Sequence, residues 1–252
     1  MSASLDKALN SDARGLTINS SRKTDSQDAE RNIVNDLEKE IISSLSALSQ
    51  NDTETIRNLR RAFSKQLTKS PPTLILALAL SLTRSRAVPK FFAYELIQHH
   101  REALRSLKAK SLADLGRGND SWGEVDTFAC YLAGPAWRER QVSDALIQRW
   151  ARSRDRWWRR AALVSTVPLN NKARGGSGDT ERTLMICAML IADRDDTVVK
   201  ALSWALRELS KRDPEPVRKF LKEHDGVLAP RVVREVNNKL QTGLKNPRQQ
   251  RT

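Results

Sequence analysis

Apolar side chains recur along this chain at intervals of three and four residues, the spacing of helices with one buried side. From Ala29, the positions Ile33, Val34, Leu37, Ile41, Leu45 and Leu48 fall on one face. Asn51-Asp52-Thr53 ends that helix and caps the next. The second helix carries Ile56, Leu59, Phe63 and Leu67 on one side, with Arg57, Arg60, Arg61 and Lys65 on the others. Ser70-Pro71-Pro72 then breaks the chain, and proline suits the first turn of a new helix. Thr73 to Leu82 is apolar nearly all round, which predicts a helix buried between neighbours. Another helix follows from about Ala87 through Phe91, Phe92, Leu96 and Ile97, and a more polar one over Leu104 to Leu115 closes at Gly116-Arg117-Gly118.

Asn119-Asp120-Ser121 offers an N-cap, and Ser121 followed by Glu124 has the spacing of a capping box. The helix that starts there has Val125, Phe128, Ala129 and Leu132 as its apolar side, and Gly134-Pro135 predicts its end. Helices follow over Val142 to Trp150, Trp157 to Val167 (ended by Pro168), Thr180 to Ile191, Val198 to Lys211, Pro216 to His224 and Pro230 to Leu240. Asn170 to Asp179, with Gly175, Gly176 and Gly178, reads as a loop.

Pairs of short helices thus recur about every 35 to 45 residues, the period of HEAT and armadillo repeats. The predicted fold is all-α, a curved α-solenoid of helix pairs, with a compact irregular bundle as the alternative. Residues 28–242 form a single domain in this reading. A polar, disordered tail over residues 1–27 precedes it and a basic tail over residues 243–252 follows it.

Charge narrows the choice of partner. The 252 residues hold 44 Lys and Arg against 30 acids, a formal charge of +14. Such an excess points to a polyanion, nucleic acid rather than a membrane surface. The densest part is Arg138 to Arg160, where Arg154, Arg156, Arg159 and Arg160 lie among Trp150, Trp157 and Trp158. Guanidinium groups bind phosphate oxygens in pairs and stack on rings, so this stretch is a candidate nucleic-acid surface. Cys130 and Cys187 lie in apolar contexts and read as buried thiols of a reducing compartment, and the three histidines show no ligand spacing. No apolar run is long enough to cross a membrane and no secretory signal is seen. No metal or organic cofactor has a visible site. The expectation is a cytoplasmic monomer, associated with the nucleoid if bacterial.

Chemistry concentrates at the capped helix. Trp122 and Asp126 are four residues apart and share a face. The helix dipole favours an ionised Asp126, and an indole beside a fixed carboxylate is a receptor for a cation. The more usual reading of such a pair is a core tryptophan and a dipole-complementing acid.

Three segments carry a family resemblance. Ser121-Trp122-Gly123-Glu124-Val125-Asp126, Trp157-Trp158-Arg159-Arg160-Ala161-Ala162, and Lys200-Ala201-Leu202-Ser203-Trp204-Ala205-Leu206-Arg207-Glu208 followed by Asp213-Pro214 stand in that order. They resemble conserved elements of the HEAT-like-repeat DNA alkylation repair glycosylases of the AlkD type. The resemblance covers about residues 70–240. It implies a curved solenoid that grips duplex DNA and excises N3- and N7-alkylated purines by hydrolysing the N-glycosidic bond, without base flipping. It implies Asp126 as the catalytic carboxylate, Trp122 and Trp204 as aromatic walls, and Arg160 as a DNA-binding residue. Arg159, Arg156, Arg154, Trp157 and Lys200 join Arg160 as expected DNA contacts. A non-catalytic binder of damaged or branched DNA, and a protein-binding solenoid, are the competing readings.

Overall fold

A computed structural model describes residues 28–247, and among these the regular structure is helical, with no strand. The tail expected over residues 1–27 and the last residues of the C-terminal tail lie outside the described residues. The first helix, α1, spans residues 28–46. It is followed by α2 (Thr53–Gln66), α3 (Pro72–Arg84), α4 (Lys90–Gln98), α5 (Arg101–Arg105), α6 (Ala109–Gly116) and α7 (Trp122–Phe128). A π-helical turn (Ala129–Ala133) joins α7 to α8 (Gly134–Arg138). Then come α9 (Asp144–Ala151), α10 (Arg156–Val164), α11 (Val167–Asn170), a 3-10 turn (Lys172–Arg174), α12 (Thr180–Met189), α13 (Asp196–Leu209), α14 (Pro214–Glu223) and α15 (Pro230–Thr242).

Six of these helices form a continuous row in which each packs on the next: α2, α4, α7, α10, α13 and α15. They begin at residues 53, 90, 122, 156, 196 and 230, so the repeat is 32 to 40 residues long, slightly shorter than expected. The remaining helices make a second layer, with α3 against α4, α5 and α6, α9 against α10 and α12, and α11 against α8. This is the helix-pair solenoid that the apolar rhythm predicts.

Helix starts fall where short polar side chains can accept the first free N–H groups. Asp52 accepts from Glu54 and Thr55, Asp155 from Trp157, and Asp195 from Thr197. Two expected boundaries differ. Leu104 to Leu115 is not one helix, because His100 caps the short α5 and the chain restarts at α6. Pro168 does not end a helix but occupies the first turn of α11, where its missing N–H costs nothing.

The predicted stop at Gly134-Pro135 is also overridden. The N–H of Gly134 bonds to the carbonyl of Ala129, five residues back, and this wider turn carries the helix through Pro135 to Arg138. Gly134 is required for a second reason. A Cβ there would stand 2.7 Å from the Pro168 ring and from the Ser165 carbonyl oxygen. The glycine therefore lets α8 lie directly on α11.

One polar link joins every neighbouring pair in the row. Arg60 Nε donates to Glu95 at 3.1 Å (α2 to α4), and Lys90 Nζ to Glu124 at 3.1 Å (α4 to α7). Arg160 donates to Asp126 (α7 to α10) and to the Thr197 carbonyl at 2.6 Å (α10 to α13). Ser203 Oγ donates to Glu235 at 2.6 Å (α13 to α15). The linked residues are 32 to 37 positions apart, the length of the repeat itself. Between the links lies an apolar core centred on Phe128, which touches Tyr94 (5.7 Å between ring centroids), Trp150 (5.9 Å) and Trp158 (6.1 Å).

Gly134→Ala should lower stability by about 1–3 kcal/mol, because a close-packed contact must open. A urea midpoint equal to that of the parent protein would show that α8 and α11 do not pack in this register.

Candidate functional site

The site is built on the first turn of α7. Ser121 Oγ accepts the Glu124 N–H at 3.4 Å, as the capping spacing requires. The Glu124 carboxylate does not close a box on Ser121; it accepts from the Asp120 N–H at 3.2 Å and from Lys90 at 3.1 Å. Asn119 is buried, and its side-chain oxygen accepts from the Tyr94 hydroxyl at 2.8 Å and from Lys90 at 3.1 Å. These bonds to α4 fix where α7 begins and which way its first residues point.

Trp122 consequently faces away from the core and is 69 % exposed. It is the only aromatic residue among the large exposed apolar side chains of the described surface. An indole left in water gains nothing for folding, so the usual core role of such a tryptophan does not apply here.

Asp126 lies one turn further on and is held by Arg160 of α10. Arg160 Nε donates to Oδ1 at 2.8 Å and Nη2 to Oδ2 at 2.7 Å, a bidentate pair. The third nitrogen, Nη1, donates to the Thr197 carbonyl at the start of α13. Burial pushes the Asp126 carboxyl above its ordinary value, while the Arg160 hydrogen bonds and charge pull it back down. The bidentate geometry is that of the carboxylate. The two side chains are exposed unequally, 17 % for Asp126 and 7 % for Arg160. Asp126 is thus the less buried member of the pair. Each carboxylate oxygen keeps a lone pair for a second donor, so water can still bind.

The remaining expected residues divide into two groups. Trp204 is half-buried on α13, seven residues after Thr197 and so about two turns along the same helix. Arg160 has every side-chain nitrogen occupied within the protein. Arg159 is tied to Asp193 at 2.6 Å and to the carbonyls of Ser153 and Arg154. Trp157 is half-buried against the core. Arg154, Arg156 and Lys200 are the exposed ones, at the leading ends of α10 and α13. Arg156 lies over the Trp157 ring and 3.5 Å from Asp195, and Lys200 pairs with Asp196 at 2.7 Å. The other tryptophans of the Arg-rich stretch, Trp137, Trp150 and Trp158, pack in or against the core rather than on a surface.

Two parts of the site left no sequence signal. The Thr197 contact uses a backbone carbonyl, which any residue would supply. One turn past Asp126, Cys130 and Tyr131 line a pocket of about 590 Å³ together with Gln98, Arg138 and Arg174. Burial pushes the Cys130 thiol up to about 12, so it is no thiolate nucleophile at neutral pH. Both cysteines are free and buried. Among the described residues, no group of three or more His, Cys, Asp or Glu side chains is placed to hold a metal ion, and no helix is long and apolar enough to cross a membrane.

The sequence matches the family described as DNA alkylation repair enzyme over residues 51–240, from α2 to near the end of α15. A search of curated proteins returns no match.

Arg160→Leu should destabilise the protein by about 3–5 kcal/mol, since it strands a buried carboxylate. Asp126→Asn should cost clearly less, because the amide oxygen still accepts from the guanidinium. Thermal unfolding of both variants tests the order, and an equal or inverted ranking would remove Arg160 as the anchor of Asp126.

Proposed function

The chain belongs to the DNA alkylation repair enzyme family, and from that premise we propose that it is a DNA glycosylase. The family places DNA as its partner and the repair of alkylated DNA as its role. The substrates in this reading are N3- and N7-alkylated purines in duplex DNA, which carry a positive charge. The observation that carries it is the exposed Trp122 one turn from the partly exposed Asp126 carboxylate.

Hydrolysis of the N-glycosidic bond breaks N9–C1′. The bonding pair goes to the departing purine and neutralises its charge. Positive charge grows on the deoxyribose instead, and the oxygen of a water molecule forms the new bond to C1′. Asp126 stabilises the oxocarbenium-like sugar by its charge and can orient the water through a free lone pair or accept its proton. Trp122 presents a ring face to the cation, and Trp204 is the second aromatic wall. Alkylation has already activated the leaving group, so no strong general acid is needed. Asp126 keeps 17 % of its side chain exposed, one turn from the exposed Trp122, and the sugar of an intact duplex meets it there in this reading. The base can therefore stay stacked, unlike in enzymes that extrude it. Arg154, Arg156 and Lys200 supply backbone contacts, and Arg160 acts through Asp126. One chain provides all these groups, so a monomer suffices.

One observation favours a second reading. The bidentate Arg160 contact offsets much of the Asp126 charge, which suits a binder of damaged DNA that lacks catalysis.

Release of 7-methylguanine and 3-methyladenine from methylated duplex DNA separates the two readings. The parent protein should release both, and Asp126→Asn should lose at least about a hundredfold in rate while keeping its DNA affinity. A folded, DNA-binding parent that releases neither base would leave only the binder. The active species is the carboxylate and burial raises its pKa, so excision should fall on acidification at a pH above the ordinary aspartate value of about 3.9. An acid limb at or below that value would show that Asp126 is not the titrating group.

A further inference from the structure

The pocket beside Asp126 continues into a second of about 530 Å³, with Leu104, Pro135 and Arg138 common to both walls. Together they form a groove between the α4–α5 corner, the α8 end of the long helix and the Lys172–Arg174 turn. Cys130 in its wall lies one helical turn along the chain from Asp126.

Arg101 and Arg105 are one turn apart on α5, and both are exposed. Neither makes an ion pair among the described residues, and neither does Arg174. The Arg174 guanidinium lies over the Tyr131 ring, 5.1 Å from its centroid. Glu139 is the one acid among the described lining residues, and its charge is taken by Arg138 at 2.9 Å. Arg138 also donates to the carbonyls of Pro168 and Arg174, so it secures the turn that carries Arg174. Gly175 makes that turn possible: its φ is +83°, and a Cβ there would stand 3.1 Å from the Arg138 guanidinium.

Unpaired guanidinium groups along a groove bind an extended anion, and phosphodiester oxygens match their fork geometry. The stacked Arg174–Tyr131 pair adds a flat face with a fixed positive charge. We propose that this groove is a phosphodiester tract in which Arg101, Arg105 and Arg174 hold the DNA backbone that flanks the sugar at Asp126. The tract rests on DNA being the partner, and it positions the duplex without reading its sequence.

Salt dependence tests this, because each neutralised phosphate contributes about 0.9 to the slope of log K against log salt. Binding of an undamaged duplex oligonucleotide should be measured for the parent, for Arg101→Ala/Arg105→Ala/Arg174→Ala, and for Lys69→Ala/Lys222→Ala/Arg234→Ala. The last variant removes three exposed cations outside the groove. The groove variant should have a slope shallower by about 2 to 3, and the control should keep the parent slope. Arg174→Lys alone should keep the slope yet weaken binding, since charge remains and the ring-stacked plane is lost. A groove variant with the parent slope, or a control with an equal loss, would overturn the tract while leaving DNA repair intact. A parent protein that binds no duplex at all would instead overturn the DNA reading itself.

Discussion

The contact on which this structure turns is the Arg160 guanidinium between Asp126 and the Thr197 carbonyl. It joins three consecutive repeats through one side chain. Arg160 cannot be removed cheaply, because the largely buried Asp126 carboxylate would lose both its counter-charge and its hydrogen bonds. The same design recurs along the row in Arg60–Glu95, Lys90–Glu124 and Ser203–Glu235. Apolar packing between helix faces tolerates some sliding. A hydrogen bond of 2.6–3.1 Å tolerates almost none, so these links fix the register of each repeat on the next. The candidate site sits where such a link reaches the surface.

Much of the fold was legible from local physics. The helix-pair rhythm follows from apolar spacing, and the caps at Asp52, Ser121, Asp155 and Asp195 are side chains whose backbone partners lie two or three residues away. What was not legible depends on residues distant in sequence. Gly134-Pro135 is a sound stop signal locally, yet α11 requires a close approach there and the π-helical turn removes the penalty of the proline. The Leu104 to Leu115 stretch keeps its apolar period across Ser106 to Lys108, so spacing alone could not show the break between α5 and α6.

Charge density along the chain marks only part of the basic surface. In the stretch from Arg138 to Arg160, Arg156, Arg159 and Arg160 meet carboxylates one repeat away and Arg138 pairs with the adjacent Glu139, while Arg140, Arg149, Arg152 and Arg154 are exposed and make no ion pair among the described residues. Acids that look remote in sequence are close in a solenoid, one repeat away. Arg101 and Arg105 on α5 and Arg174 on the Lys172–Arg174 turn come from two separate segments, and they remain unpaired among the described residues. A window along the sequence counts charges before pairing, whereas a polyanion meets those left after it. The Trp122–Asp126 pair was legible because both residues lie on one turn, and its exposure was not, because that depends on the bonds from α4 to Asn119 and Glu124.

Pairing Asp126 with arginine has an electrostatic consequence at the site. A free carboxylate would attract any cation from a distance. A carboxylate paired with a more deeply buried guanidinium is a short dipole, and its field falls off faster with distance than that of a charge. It therefore repels DNA phosphates little during approach, when a bare anion would oppose binding. Once a cationic nucleoside is in contact, the near oxygens dominate and the attraction returns. Desolvation by the bound duplex would strengthen that short-range interaction further. In the proposed glycosylase reading, a basic surface that admits a polyanion and still stabilises a local positive charge needs this combination. The buried side of Arg160, anchored on Thr197, keeps the dipole pointing one way.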